Sequence, residues 1–357
     1  MAEFHNIKVL DIYKETNDTS VVTFDIPEEL KEAFIFSQGQ HLTLKAIIND
    51  EDVRRSYSLC SSPFDQQWKV AVKQIPGGKF STYINQEVEV GDIMQVMAPS
   101  GKFGVPVQPN SAKNYLFFAA GSGITPVLSM LKAHLQTEPN ATCKLFYVNK
   151  TAKSIIFKEA LEQLRNAFFG RLEIYYFLTK ERRDIELFNG RFDDDKMEVI
   201  TSSFIDIPDT NDVFLCGPEK MVNYVSEYLI NKGLPRELVH FELFVTGLSE
   251  EDIKRAERLA KQKVEGVEVT IVDGGKEFLF TMTKDYDNIL DAALSAGADL
   301  PFACKGGVCS TCKCRVIEGS VEMKINYALD EKEVSQNLVL SCQAVPTAGE
   351  VVVDFDV

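Results

Sequence analysis

The sequence predicts a multidomain chain: an antiparallel β-barrel, an α/β domain on a parallel sheet, and a small α+β domain. Three observations predict it. At the start, short runs alternate apolar and polar positions between turn signals, as the strands of an antiparallel barrel do. From Tyr115 the pattern changes to continuous apolar runs, each followed by helical spacing, and alternating strand and helix builds a parallel sheet. From Val267 a hairpin, one short helix and further strands surround a cysteine-rich loop. The divisions fall at 1–107, 108–245 and 265–357, with a linker over 246–264. At 357 residues the chain is long enough to give each part a hydrophobic core.

The barrel strands are read at Ile7–Ile12, Ser20–Asp25, His41–Ala46, Trp68–Lys73 and Asp92–Val96. Two polar segments interrupt them. In Arg55-Ser56-Tyr57-Ser58 the arginine offers a bidentate grip on phosphate. The tyrosine two residues on shares its strand face and can stack on a flat ring, and the serine hydroxyl can bond a ring nitrogen. In Gly77-Gly78-Lys79-Phe80-Ser81-Thr82, amides and hydroxyls can meet a phosphate at a helix start. Alone, each segment is unspecific, because Arg-x-Tyr-Ser arises by chance and Gly-Gly is usually a turn. On neighbouring strands they reinforce each other.

The parallel sheet begins with Tyr115–Ala120, an apolar run suited to a strand buried on both faces. Gly121-Ser122-Gly123-Ile124-Thr125-Pro126 follows at once, then helical spacing through Val127–Lys132. Glycines after a strand allow close approach, the helix start favours phosphate, and Pro126 suits a first helical turn. Proline at the last position departs from the usual G-x-G-x-x-G fingerprint. Lys144–Val148 leads to a helix at Phe157–Arg165, and Leu172–Leu178 is the next strand. Asp212–Cys216 runs into Gly217-Pro218 and a helix at Lys220–Asn231. Cys216 thus ends a strand at its carboxyl edge, where open α/β sheets bind ligands. The bland alternative is a buried small hydrophobe. Phe241–Phe244 closes the region. Thr246–Lys263 is charged and helix-prone, with sparse apolar residues (Leu248, Ile253, Leu259), and reads as a solvated linker.

In the last region Val267–Val272 turns at Asp273-Gly274-Gly275 and returns as Phe278–Met282. Asp287 is placed to cap a helix through Ser295, with Gly297 as its stop. A strand at Glu350–Phe355 ends the sheet. Between them stand Cys304, Cys309 and Cys312, with Cys342 further on, a C-x4-C-x2-C…C spacing. That is the plant-type spacing for a [2Fe–2S] cluster. Gly306 and Gly307 let the loop curl and aim N–H groups at sulfur. Zinc is the alternative, but zinc ligands usually come as two C-x2-C pairs, and the second pair is missing here. A disulfide framework belongs to short exported chains. Cys314 reads as a small buried residue beside the loop, not a fifth ligand.

The net charge is −15. From Glu265 to Val357, 16 acidic residues face 7 basic ones, so −9 of it lies in the last part. Nucleic acid is disfavoured as a partner. An acidic surface can steer a basic partner, or it is simply solvated. No apolar run reaches the length of a membrane span, and Met1–Lys8 lacks a basic-then-apolar leader. Cytoplasm is therefore the expected place. His5, His41, His134 and His240 are scattered and read as structural or exposed, and no nucleophile triad emerges. Lys150, Lys153, Arg182 and Arg183 follow the second and third strands of the parallel sheet, where a 2′-phosphate could bind. No acidic residue ends the second strand directly, which favours NADPH over NADH.

Taken in order, Arg55-x-Tyr57-Ser58, Gly78-x-x-Ser81, Gly121–Pro126, Cys216-Gly217-Pro218 and Glu242-x-Phe244 resemble the ferredoxin–NADP reductase family. The last region is similar to a plant-type ferredoxin of β-grasp fold, so the resemblance spans nearly the whole chain. It implies a role for each matching residue. Tyr57 stacks on the isoalloxazine and Ser58 bonds near its N5. Arg55 and Ser81 hold FAD phosphates at the Gly78 turn, and Val72 and Thr82 complete the flavin set. Gly121, Gly123, Thr125 and Pro126 line the NAD(P) pyrophosphate and ribose. Cys216 lies by the nicotinamide C4, with Gly217 and Pro218 beside it. Glu242 sits at the flavin edge as a proton relay or positioning group, and Phe244 covers the other flavin face. Tyr57, Ser58, Cys216, Glu242 and Phe244 form the implied catalytic set. Cys304, Cys309, Cys312 and Cys342 ligate the cluster.

These parts make a relay. NAD(P)H gives two electrons as a hydride, a [2Fe–2S] cluster takes one at a time, and a flavin converts between them. The implied enzyme is an NAD(P)H-dependent oxidoreductase whose partner is the oxygenase component of a multicomponent system acting on a CoA thioester, with neither nucleic acid nor membrane involved. The alternatives are another acceptor, such as a ring-hydroxylating dioxygenase or a hybrid-cluster protein, or a non-catalytic redox sensor.

Overall fold

The computed structural model describes residues 3–244, 250–263 and 265–357. The chain divides into two compact units, one of Phe4–Val53 and Tyr57–Phe244, the other of Val245–Val357 with Met1–Glu3 and Arg54–Ser56. The expected linker residues Thr246–Leu248 lie outside the described residues.

The first unit opens with six antiparallel strands: β1 (Phe4–Thr16), β2 (Thr19–Asp25), β3 (His41–Ile48), β4 (Glu51–Ser58), β5 (Trp68–Lys73) and, after helix α1 (Lys79–Gln86), β6 (Ile93–Met97). Their order is β4-β3-β6-β1-β2-β5. A bridge from Leu59 to Val70 joins the two outer strands, so the sheet curls into a barrel. Asn49 and Asp50, at φ 51° and 62°, make the tight turn from β3 to β4 that matches the twist of a hairpin. Ile7, Val22, Phe24, Leu42, Val70 and Val72 fill the interior. This is the alternation expected of barrel strands.

Five parallel strands follow: β7 (Asn114–Ala120), β8 (Thr142–Asn149), β9 (Leu172–Leu178), β10 (Asp212–Gly217) and β11 (Val239–Leu243). Helices α2 (Ile124–Thr137), α3 (Lys158–Ala167), α4 (Asp194–Ser203) and α5 (Glu219–Asn231) alternate with them. The order β11-β10-β7-β8-β9 reverses direction between β7 and β10, which opens a crevice at their carboxyl ends. The α/β layer and the barrel share one core: Val21, Cys60 and Ala71 of the barrel pack with Ile124, Leu128 and Leu131 of α2. Ser129 Oγ donates to the Ser61 carbonyl at 2.6 Å, and Lys132 pairs with Asp65 at 3.0 Å.

The second unit begins with α6 (Glu250–Lys261). Its sheet comprises β12 (Val267–Asp273), β13 (Lys276–Met282), β14 (Lys313–Met323), β15 (Leu338–Leu340) and β16 (Ala344–Asp354), with short helices α7 (Ile289–Ser295) and α8 (Glu331–Ser335). In the order β13-β12-β16-β14-β15 only β12 and β16 run parallel. Helix α7 is capped one residue later than expected. Asn288, not Asp287, accepts from the Asp291 amide, at 2.8 Å. Asp287 instead pairs with Lys263 and Lys324. Gly297, at φ 97°, stops the helix as expected.

Candidate functional site

The expected site residues gather in two groups, one around β10 in the first unit and one in the cysteine loop of the second. In the first unit, parallel pairing sets Cys216 beside Ala119 on one side and Glu242 on the other. Ser58 Oγ reaches across from β4 to donate to Glu242 Oε2 at 3.1 Å. The Phe244 amide donates to the Gly217 carbonyl at 3.0 Å, which fixes where the chain leaves β11. Ser58, Cys216, Glu242 and Phe244 are thus joined at the carboxyl end of β10, with Tyr57 next to Ser58. Cys216 is 0% exposed. Burial pushes its thiol well above the usual cysteine range, and the Glu242 carboxylate adds to the effect. A thiol so placed stays protonated and is no nucleophile.

Gly123 explains the closeness of this floor. A Cβ there would lie 2.1 Å from the Cys216 carbonyl oxygen, so only glycine lets the turn after β7 rest on β10. Gly121 adopts φ 54°, and its carbonyl accepts from Tyr147 Oη at 2.8 Å. Thr125 Oγ1 donates to the Ser122 carbonyl at 3.0 Å, fastening the turn from within. Pro126 stands in the first turn of α2, and Pro218 precedes α5.

On the barrel, Arg55 and Tyr57 share one face of β4. Arg55 is exposed, with Nη1 donating to the Arg54 carbonyl at 2.7 Å. The half-buried Tyr57 ring lies 6.0 Å from Phe80. Gly78 begins α1 with no side-chain cap. The Ser81 hydroxyl, expected to face a phosphate, is turned into the chain: it accepts from the Ile75 amide at 3.1 Å and donates to the Gly78 carbonyl at 3.3 Å. Thr82 Oγ1 accepts from Gln74 Nε2 at 3.4 Å. The Val72 side chain is sealed in the barrel core. The Tyr57 ring and a helix start without a side-chain cap fit the flavin and phosphate of FAD.

In the second unit the cluster loop leaves Cys309, Cys312 and Cys342 buried and Cys304 partly exposed. Lys305, Gly307 and Ser310 take φ values of 51°, 75° and 36°, a coil that side chains resist and that turns amides inward. The Gly306 amide reaches Cys304 Sγ at 3.3 Å and the Cys304 amide reaches Cys309 Sγ at 3.5 Å. Gln343 Nε2 lies 3.6 Å from Cys342 Sγ and 2.9 Å from the Lys305 carbonyl. The thiols interact two by two. The hydrogen bond with Cys304 draws Cys309 down, and that with Cys312 draws Cys342 down, while the donors Cys304 and Cys312 rise. Among the described residues no three His, Cys, Asp or Glu side chains gather as for one metal ion. Four thiols, with the Cys304 and Gly306 amides turned toward sulfur, fit a two-iron cluster. Cys314 is fully buried in the sheet core, and burial pushes its thiol up.

Sequence reasoning missed the buried group around Glu138. That carboxylate accepts from Tyr115 Oη at 2.9 Å and the Gln108 amide at 2.7 Å, with His134 Nδ1 at 3.1 Å. The four-residue spacing of His134 and Glu138 on one helix was the available signal. It gave no role to Tyr327, whose amide donates to the Gly307 carbonyl at 2.9 Å.

Three domain families match this chain: an oxidoreductase FAD-binding domain over residues 6–104, an oxidoreductase NAD-binding domain over 117–227, and a 2Fe-2S iron-sulfur cluster binding domain over 271–347. The chain is 41% identical to the E component of the 1,2-phenylacetyl-CoA epoxidase of Escherichia coli (strain K12), covering 100% of this chain and 99% of that one. It is 33% identical to the "3-ketosteroid-9-alpha-monooxygenase, ferredoxin reductase component" of Rhodococcus rhodochrous, covering 98% and 96%. The solved structure of phthalate dioxygenase reductase shares the fold, with a TM-score of 0.60 at 23% identity over 99% of this chain and 98% of that one.

Proposed function

We propose that this chain, which belongs to the family of oxygenase reductases built from FAD-binding, NAD-binding and 2Fe-2S domains, serves the 1,2-phenylacetyl-CoA epoxidase of phenylacetate degradation. The observation that carries the choice of acceptor is the 41% identity to a component of that enzyme along both chains. It is supported by all three domains standing in one chain.

When bound, FAD takes the two electrons of a hydride and passes them on singly, as a [2Fe–2S] cluster requires. The protein's part is alignment. In this reading Tyr57 offers its ring to one flavin face and Phe244 shields the other until nicotinamide replaces it. Ser58 commits its proton to Glu242, so the pair holds a fixed orientation at the flavin edge. Cys216, protonated and buried, forms an uncharged wall beside the hydride path. Gly121 and Gly123 let the nucleotide pyrophosphate approach the start of α2 with Thr125 and Pro126, and Gly217 and Pro218 shape the opposite lip. Arg55 holds an FAD phosphate. The amides of the Gly78 turn assist it, while Ser81 and Thr82 secure that turn rather than touching phosphate. Cys304, Cys309, Cys312 and Cys342 hold the cluster.

NADPH is the proposed donor. Lys150, Lys153 and Arg182 stand exposed after β8 and β9. Arg183 lies over Phe188 at 5.4 Å and donates to the Tyr176 carbonyl at 2.8 Å, which orients it. Glu181 accepts from the Ala152 amide at 2.8 Å and so fixes the turn that carries Lys153. The comparable full-length match to a ketosteroid monooxygenase reductase favours a second reading, a different oxygenase as acceptor.

The test is anaerobic reduction of the purified protein by NADPH and by NADH, followed by coupling to purified oxygenases. We expect flavin and cluster bands to bleach faster with NADPH, and phenylacetyl-CoA to be epoxidised only when its own oxygenase is present. Equal or better coupling to another oxygenase would move the assignment to that acceptor. Faster bleaching with NADH would overturn the choice of donor.

A further inference from the structure

A buried hydroxyl lies behind the glycine turn after β7. Tyr147, on β8 opposite Ala119 of β7, is 0% exposed. Its ring belongs to the same core as Ile124 and Leu128 of α2. Its Oη donates to the Gly121 carbonyl at 2.8 Å and lies 3.4 Å from the Ile156 carbonyl. Burial pushes the phenol well above its ordinary value, so it stays protonated and remains a donor. The surroundings of this hydroxyl are braced in turn. Phe157, next to Ile156, takes φ 60°, which a bulky side chain resists. Its amide donates to Glu15 Oε1 of β1 at 2.8 Å. The Tyr147 ring lies 6.2 Å from that of Tyr176, whose hydroxyl donates to Glu162 Oε1 at 2.9 Å.

What the hydroxyl fixes is a peptide plane. Gly121 sits at φ 54°, and a glycine leaves the plane that follows it free to turn. The hold must therefore come from tertiary contact. The Gly121 carbonyl accepts twice, from Tyr147 and from the Ile124 amide. A trans peptide is planar, and its N–H points opposite to its C=O. With the Gly121 oxygen turned in toward β8, the Ser122 N–H of the same peptide is turned away from it. A Cβ at Gly121 would meet nothing within 4 Å, so the turn is open there. Without the hydroxyl, the Ile124 amide would still satisfy the carbonyl, but the plane would lose its second anchor.

We propose that Tyr147 is a positioning residue for the nicotinamide nucleotide: by holding the Gly121 carbonyl inward, it aims the Ser122 amide at the pyrophosphate. A phosphate oxygen is a charged acceptor and bonds such an amide strongly. An amide aimed in advance costs little ordering when the nucleotide arrives. The inference rests on the reading that the Gly121 turn, inside the NAD-binding domain, receives the pyrophosphate. It does not depend on which oxygenase takes the electrons.

The test uses the full-length holoprotein with Tyr147→Phe, which keeps the ring, and with Gly121→Ala, which alters the turn itself. Flavin reduction by the faster donor of NADPH and NADH is followed by stopped flow over a range of concentrations. Melting temperatures are measured alongside. We expect Tyr147→Phe to raise the half-saturating nucleotide concentration about fivefold, the size of effect one hydrogen bond carries, at an unchanged limiting rate. Gly121→Ala should raise it too. A rise in Gly121→Ala with none in Tyr147→Phe would overturn the proposal alone. A lower melting temperature would not rescue it, because the hydroxyl would then serve only packing. No rise in either variant would overturn the seating of the pyrophosphate, and the proposal with it. A slower limiting rate in Tyr147→Phe would mean a general disturbance of the hydride site and would overturn the proposal as well.

Discussion

The two redox sites are built on opposite plans. In the proposed cluster site three of the four cysteines lie within Cys304–Cys312, and the amides that reach their sulfurs come from the same few residues. The proposed hydride site draws on β4, β10 and β11, and its central hydrogen bond joins Ser58 to Glu242, 184 residues away. A group that stays bound can be held by one coiled loop. A nucleotide that must come and go needs an open crevice, so its position is set by how closely rigid elements pack. The barrel and the α/β layer supply that rigidity through a shared core and the Ser129–Ser61 and Lys132–Asp65 contacts.

The contrast breaks most decisively at Cys309→Ser. We expect reduction of one-electron protein acceptors to fall to background while NADPH still reduces the flavin at the wild-type rate, measured by stopped-flow absorbance. Loss of both steps together would mean that the sites do not work separately. A smaller effect is expected at Gly123→Ala. The new methyl group would sit 2.1 Å from the Cys216 carbonyl oxygen, an overpacking that costs about 1–3 kcal/mol. Thermal unfolding should shift down, and KM for NADPH should rise about tenfold as the floor is displaced, while the cluster EPR signal stays the same. An unchanged KM would show that backbone closeness does not set the nucleotide's position.

The smallest effect concerns the far end of the parallel sheet. His134 is buried among Tyr115, Glu138, Asp212 and Lys113. Burial, outweighing the pull of Glu138, holds it below its ordinary value of 6.5. Stability from a histidine kept neutral is complete above that value. It is lost as pH falls through it, because the unfolded chain then binds a proton that the folded one refuses. Melting temperature should therefore drop on going from about pH 7 to about pH 5.5, and drop less in His134→Gln. The cluster's visible spectrum should not change over that range. Equal slopes in both proteins would remove His134 from this account.

Much of this was legible because it is local. Alternation marked β3 and β5, and the apolar run Tyr115–Ala120 marked a strand buried on both faces. The cysteine spacing reports a loop whose ligands are neighbours in the chain. What was hidden depends on long-range placement. Nothing near Ser81 signals that its hydroxyl turns back to the Ile75 amide, because the same residue could equally face outward. Asp287 and Asn288 are both good caps, and tertiary pairing of Asp287 with Lys263 and Lys324 decides between them. Helix α6 looked solvated because Leu259 is nearly alone among charges, and its docking rests on Tyr327, 75 residues from Asp252. Helix α4 escaped notice because Thr201, Ser202 and Ser203 blur its pattern.

The separation of Cys342 from the other three ligands also has a consequence for synthesis. A growing chain contains Cys304, Cys309 and Cys312 before Cys342 exists, and the 30 residues from Lys313 to Cys342 take roughly 1.5–6 s to add at ordinary rates of translation. Completing the site requires β14 to form and the chain to return through β15, which puts Cys342 behind the loop. Cys342 therefore reaches the site only as β15 pairs with β14 and the last sheet closes.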